Sequence, residues 1–340
     1  MTREEQYIRQ VAKLYGVTVD EIIAATRRIT LSPDHVFSFD DFPSLKGKSE
    51  KIFDKFAKSL LVLINTATEA EWLKACEDVD VALEKILKTV SIPKERLKGF
   101  GSRNLDALQS FQTRKINGMN LSDRVWQCRE QLQQQIELAL DIGIGEGLSA
   151  AELSRDVRRY LNEPDRLFRR VRDKHGNLVL SKAAKAYSPG QGIYRSSYKN
   201  AMRMTRTETN MAYRTADNMR WQKLDFVVGF EVKLPNRSRI RDICDDLQGK
   251  YPKDFKFTGW HPQCRCFSIP IMLTTEEMIK TNNMTDAERA NFKGKNTVDD
   301  VPENFKNWVR DNADRIEKAN NRGTLPYFLK DNATFAAVFK

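Results

Sequence analysis

Four side chains in one short stretch have the types and spacing to do recognisable chemistry. Cys244, His261, Cys264 and Cys266 lie within RDICDDLQGKYPKDFKFTGWHPQCRCFSIPI. Three thiols and one imidazole are a tetrahedral zinc set in number and type, since thiolate sulfur and imidazole nitrogen are the donors that structural zinc takes. Such an ion would staple a loop-rich region too short to build its own core. The spacing keeps a second reading open. One lone cysteine precedes an H-x2-C-x-C group, and a C-x-C pair makes a tighter chelate than the usual C-x2-C. On that reading the cysteines are reduced and pack beneath a hairpin, with His261 hydrogen-bonded nearby. A catalytic zinc needs an open coordination position and a general base. His261 is the only histidine in this stretch, so a zinc bound here is expected to be structural rather than catalytic, with the packing reading left open.

Two strands must position this cluster. FVVGFEVKL (226–234) is rich in β-branched and aromatic residues and reads as a strand. FSIPIM (267–272) reads as a second strand, at a sheet edge because Pro270 has no N–H to give a ladder. Before them, 196–224 reads as a long helix with Tyr198, Ala201, Thr205, Thr209, Ala212, Ala216 and Met219 on one face. Upstream, RLFRRVRDKHGNLVL suggests a hairpin whose tip is His175-Gly-Asn177, and YSPGQGIY (187–194) a loop.

The rest is mainly helical. Short helices are expected over 5–15 and 19–28 with a break at Gly16, then a connection over 31–49, and helices over 51–66 and 69–90. A regular stripe from Val125 to Ile144 suggests a helix capped by Ser122 and ended by GIGEG (143–147). Ser149 and Glu152 form a capping box that launches another. Thr274 to Glu277 resembles a further N-cap, and an amphipathic helix is expected near 302–319. The expected fold class is α+β, mostly helical with a small antiparallel β element carrying the Cys/His cluster. The expected organisation is an N-terminal helical region (1–100), a central domain (101–273) and a C-terminal helical extension (274–340).

Composition bounds the function classes. At 340 residues, 40% hydrophobic and 30% charged, the chain can bury a substantial core and is neither a disordered tail nor a membrane protein. No run approaches membrane-spanning length and the start MTREEQYIRQ is too polar for a secretory signal, so a cytoplasmic, soluble protein is expected. An odd count of 5 cysteines argues against a disulfide framework. The net charge is +11, and residues 155–223 alone carry 17 Lys+Arg against 6 Asp+Glu, a surplus that equals it. Such a segment suits the phosphates of double-stranded DNA, bound without sequence preference and sensitive to salt, with Arg155, Arg158, Arg159, Arg169 and Arg170 as the candidate contacts. A solvated helix surface laced with ion pairs is the other reading.

Read in order, these segments resemble a known pattern. It consists of Arg206-Thr207-Glu208 on a helix, the strand FVVGFEV, then Asp242-Ile-Cys244-Asp-Asp-Leu247-Gln-Gly249-Lys250, and His261-Pro262-Gln-Cys264-Arg265-Cys266 before an apolar strand. The chain is similar here, over about 120–272, to the phage Mu protein F-like head-morphogenesis family. Many relatives carry a further cysteine three positions before the one corresponding to Cys244. Arg241 stands there in this chain, which departs from a C-x2-C half-site.

The resemblance implies a minor capsid protein of the virion, present in few copies. It would associate with the portal protein and with other capsid or scaffold proteins at the forming procapsid, made in the bacterial host cytoplasm and located inside the capsid near the portal. It would assist DNA packaging or ejection and have no catalytic activity. Arg206, Thr207, Glu208, Asp242 and Gly249 would be structural, with Arg206 and Glu208 anchoring their helix to the hairpin. An alternative is a metal-supported nuclease or toxin-like enzyme carrying a Mu F-like domain. The scarcity of histidines (His35, His175, His261) counts against it. A third reading, a host DNA-binding regulator built on VTVDEIIAATRR (17–28), lacks a second partner helix.

Overall fold

A computed structural model of the chain describes residues 2–27, 29, 37–145, 148–163, 170–180, 185, 194–235 and 241–337. Long helices dominate, and a small three-stranded antiparallel sheet lies beside the Cys/His cluster, so the fold is mostly helical α+β. Among the described residues no helix is long and apolar enough to cross a membrane. The chain forms two compact units, each built from two stretches: 1–66 with 114–206, and 67–113 with 207–340. Where the sequence suggests divisions near residues 100 and 273, the units are interleaved. The reason is that helices Pro43–Leu87 and Ser197–Gln222 each contribute residues to both.

The first unit is helical around one core. Helix α1 (Arg3–Thr26) runs straight through Gly16, where the sequence suggests a break. Val11, Tyr15, Val19 and Ile22 continue one buried stripe across it, and their burial outweighs the roughly 1 kcal/mol that a mid-helix glycine costs. Helix α2 (Pro43–Leu87) is likewise continuous, replacing the two helices expected over 51–66 and 69–90, because its middle carries no breaker residue. It also takes up part of the expected 31–49 connection, of which 31–36 lie outside the described residues. Phe53, Phe56, Leu60 and Ile64 of α2 join Val125, Leu132, Ile136 and Leu140 of α4 (Leu121–Gly145), and Val157 and Tyr160 of α5 (Ala150–Asn162), in this core. The cap of α4 is Asn120 rather than Ser122. Its Oδ1 accepts from the Asp123 N–H at 2.9 Å while Asp123 Oδ2 accepts from the Asn120 N–H. Ser149 and Glu152 form the expected capping box on α5. The hairpin of β1 (Arg170–Arg172) and β2 (Leu178–Leu180) turns at Lys174–Gly176, where Asp173 accepts the N–H groups of His175 and Asn177.

The second unit contains α3 (Leu105–Thr113), the C-terminal half of α6 (Ser197–Gln222) and the sheet, in the order β4 (Gly249–Tyr251), β3 (Val227–Lys233), β5 (Phe267–Met272). β5 is an edge strand, with Pro270 opposite Phe230. β4, a strand the sequence pattern does not suggest, starts at Gly249 with φ +147°, a conformation that disfavours a side chain. Under the sheet an aromatic core closes: Tyr251 on Phe255 at 4.5 Å between ring centres, Trp260 on Phe328 at 5.3 Å and Phe255 on Phe305 at 5.5 Å. Residues after β5, among them Phe305, Val309 and Phe328, pack into this core. They form α8 (Thr275–Lys280), α9 (Asp286–Ala290), α10 (Glu303–Asp311), α11 (Ala313–Asn321), α12 (Tyr327–Lys330) and α13 (Ala333–Ala337). Thr274 caps α8 in a capping box with Glu277. The single helix expected over 302–319 is split at Asn312 into α10 and α11.

Candidate metal centre

Three segments carry the cluster. Asp242 caps the short helix α7 (Ile243–Asp246): its Oδ1 accepts from the Cys244 N–H at 2.8 Å, and its own N–H donates to Asp245. That cap orients Cys244 inward, where it is 4% exposed. His261 and Cys264 share a tight turn in which the Cys264 N–H donates to the His261 carbonyl at 3.1 Å. At Gln263 the backbone enters the left-handed region, φ +63°, and its N–H donates to Thr207 Oγ1 at 3.1 Å.

The side chains converge. Among the described residues, the Cys244, His261 and Cys264 ligand atoms all lie within 4.8 Å of one another. Cys244 Sγ is 3.0 Å from His261 Nε2 and 3.7 Å from Cys264 Sγ. Two sulfurs on one tetrahedral zinc stand about 3.8 Å apart, given bonds near 2.3 Å. The sulfur–nitrogen pair would open by about half an ångström around the same ion. His261 Nδ1 faces the Pro262 carbonyl at 2.8 Å. A carbonyl only accepts, so Nδ1 carries the proton and Nε2 turns toward the sulfurs, the tautomer a metal-ligating histidine needs. This group can hold a metal ion.

Cys266, the fourth residue expected, is 2% exposed and packs in the same core but lies outside the group of three. The three thiols influence one another. Hydrogen bonding from Cys244, then from Cys266, holds Cys264 well below the ordinary thiol range, helped by the nearby Arg214 charge. The same bond, with a further one to Cys266 and with burial, drives Cys244 far up. Hydrogen bonding with Cys244 favours the Cys266 thiolate, but the hydrogen bond with Cys264, burial and the Cys264 charge outweigh it and push Cys266 up to about 12. The cluster thus concentrates negative charge on Cys264, in the same group as the His261 ring, an arrangement suited to a soft or borderline cation.

A buried arginine holds the turn from the helix side. Arg214 of α6 donates to the carbonyls of Thr258, Cys264 and Cys266 at 3.0, 2.7 and 2.6 Å, and Asn210 reaches the Cys264 carbonyl at 3.4 Å. The reading of 155–223 as a basic surface misses these roles. Thr207, Asn210, Arg214, Asp217 and Arg220 recur three or four residues apart, so they share one face of α6, and that spacing is the signal in the sequence. Arg220 is fully buried, donating to Asp80 and to the Phe100 carbonyl with its guanidinium 3.8 Å from the Phe100 ring centre.

Glu208, expected to anchor its helix, is buried at 1% exposure, and Arg206 pairs with Glu4 of α1 at 2.9 Å. Arg241 is 82% exposed in its side chain and pairs with Asp246, at the surface of the cluster. Arg155, Arg158 and Arg159 are exposed on α5; Arg158 is bound by Asp20 of α1. Arg170 lies in β1, and Arg169 falls outside the described residues. No protein-family model, no curated protein and no solved structure matches this chain.

Proposed function

We propose that this chain is a minor head protein of the phage Mu F-like kind, acting in procapsid assembly at the portal vertex by recognition and without catalysis. One observation carries the reading. The separated segments that resemble the family come together, with Thr207 binding the Gln263 N–H while Cys244, His261 and Cys264 close on one another beneath the sheet. A module of that kind, with its polar groups spent on holding a turn, suits a rigid docking element. Within it a structural zinc is held by Cys244, His261 and Cys264. Helical surfaces outside the module dock on portal, capsid or scaffold proteins, and the exposed arginines of α5 meet packaged double-stranded DNA through its phosphates.

The test is co-expression with candidate portal and scaffold proteins from the genome that encodes the chain, followed by sedimentation of procapsids. The chain is expected to co-sediment in few copies per particle. Particles that form normally and exclude it would overturn the proposal.

A further inference from the structure

With Cys244, His261 and Cys264 in place, a tetrahedral ion lacks one ligand, and two side chains stand near enough to be considered. Cys266 is the one that the spacing H-x2-C-x-C suggests. Asp242 is the other, and it has entered so far only as a helix cap. Its Oδ1 is fixed on the Cys244 N–H at 2.8 Å, while its Oδ2 lies 3.4 Å from His261 Nε2. Nε2 faces Asp242 and Cys244, while Nδ1 faces the Pro262 carbonyl at 2.8 Å. A carboxylate oxygen and an imidazole lone pair that face each other repel unless a proton or a cation sits between them. Cys244 Sγ faces the same nitrogen at 3.0 Å. Zinc–nitrogen and zinc–oxygen bonds near 2.0–2.1 Å set the nitrogen–oxygen edge of a tetrahedron at about 3.3 Å, close to the separation seen.

We infer that Asp242, and not Cys266, supplies the fourth ligand, making a site of two thiolates, one imidazole and one carboxylate for a divalent zinc-like cation. The inference rests on the metal reading of the cluster. Both candidates lie outside the group of three whose ligand atoms fall within 4.8 Å, so either must move to complete the site. Their surroundings decide which can. The Asp242 side chain is 46% exposed and can swing toward the ion through solvent. Cys266 is 2% exposed and already hydrogen-bonds with Cys244 and Cys264 in a close-packed core, so turning its sulfur onto the ion must displace packed neighbours. The site then has a buried thiolate side and a solvent-facing imidazole and carboxylate side, through which the ion enters.

The test loads the purified full chain with cobalt(II) and, separately, with zinc(II). Cobalt reports its thiolate count through the intensity of its sulfur-to-metal charge-transfer band. Cys266→Ala is expected to leave one bound metal and that intensity unchanged. Asp242→Asn keeps the helix cap, since asparagine caps as well as aspartate. It is expected to weaken affinity for both metals about tenfold or more at constant intensity per bound cobalt. Loss of about a third of the intensity in Cys266→Ala, with Asp242→Asn binding like the parent, would place the third sulfur on the ion and overturn the assignment. A parent chain that takes up neither metal would remove the metal reading itself, a different failure with a different signature.

Discussion

The Arg214 guanidinium donates to the Cys264 carbonyl at 2.7 Å, and through that bond helix α6 fixes the turn that carries two of the cluster's ligands. The same side chain also satisfies Thr258 and Cys266, so one residue serves three buried carbonyls. Arg214→Gln cannot span the three. Removing that donor from the Thr258 and Cys266 carbonyls, and leaving Cys264 with only the longer bond from Asn210, is expected to cost about 2 kcal/mol or more, since each unmade buried hydrogen bond costs on the order of 1 kcal/mol. Urea unfolding followed by tryptophan fluorescence reads this as a lower midpoint, and a midpoint equal to the parent's would remove Arg214 from its role.

Gly259 makes room for that arginine. Its φ is +122°, and a Cβ built there would stand 2.6 Å from Arg214 Nη1 and 3.2 Å from Cys264 Cβ. Gly259→Ala therefore meets both a strained backbone and a guanidinium that could yield only by loosening its bonds to Thr258, Cys264 and Cys266. A loss of about 2–4 kcal/mol is expected, combining backbone strain with overpacking. If the thermal midpoint of the variant matched the parent's, the close approach of Gly259 to Arg214 would not be a constraint in solution.

These two residues show what the sequence discloses and what it hides. Val227–Lys233 is legible as a strand because β-branched and aromatic residues fill it, and Phe267–Met272 as an edge because of Pro270. Cys244, His261 and Cys264 are legible as a group because soft ligands are rare and here lie close in sequence. Gly16 misleads, since glycine's local helix penalty is small beside the burial of Val11, Tyr15, Val19 and Ile22 around it. Arg214 and Arg220 are hidden for another reason. Burial of an arginine depends on which carbonyls the fold delivers to it, and no local pattern states that. Asp242 enters the sequence reading only as part of a motif; its cap and its second oxygen matter only once α7 and the His261 turn are folded against each other.

Asp217 lies on the same face of α6, 7% exposed, among Arg214, Arg220 and Asp78. Burial, with the like charge of Asp78, pushes its carboxyl well above the ordinary range, and the two arginines only partly offset this. The folded chain then holds a proton that the unfolded chain has released above about pH 4. Stability is therefore full below that pH and falls as pH rises toward the folded value. Asp217→Asn, neutral and of the same shape, is expected to flatten this decline. The difference in thermal midpoint between variant and parent should grow in the variant's favour from about pH 4 upward, whereas a difference that stays constant with pH would show that Asp217 is ionised throughout.

The arginines of α5 separate two meanings of a basic segment. Arg155 and Arg159 are exposed, and no ion pair commits them among the described residues, so their charge is available to phosphate. Arg158 is committed: it bridges to Asp20 and reaches the Gly16 carbonyl at 3.4 Å, linking α5 to α1. Reversing Arg155 and Arg159 together is expected to weaken nonspecific duplex binding about tenfold at low salt. It should also reduce the slope of log affinity against log salt by about two, one for each lost phosphate contact. Arg158→Glu should leave that slope unchanged beyond the loss of one general charge and instead lower the thermal midpoint, because it places two acids side by side. Fluorescence anisotropy across a salt series, with a melting curve for each variant, distinguishes the outcomes. If all three reversals act alike on the slope, Arg158 faces DNA and its pairing with Asp20 does not hold it; if none does, α5 is a solvated face and DNA leaves the list of partners.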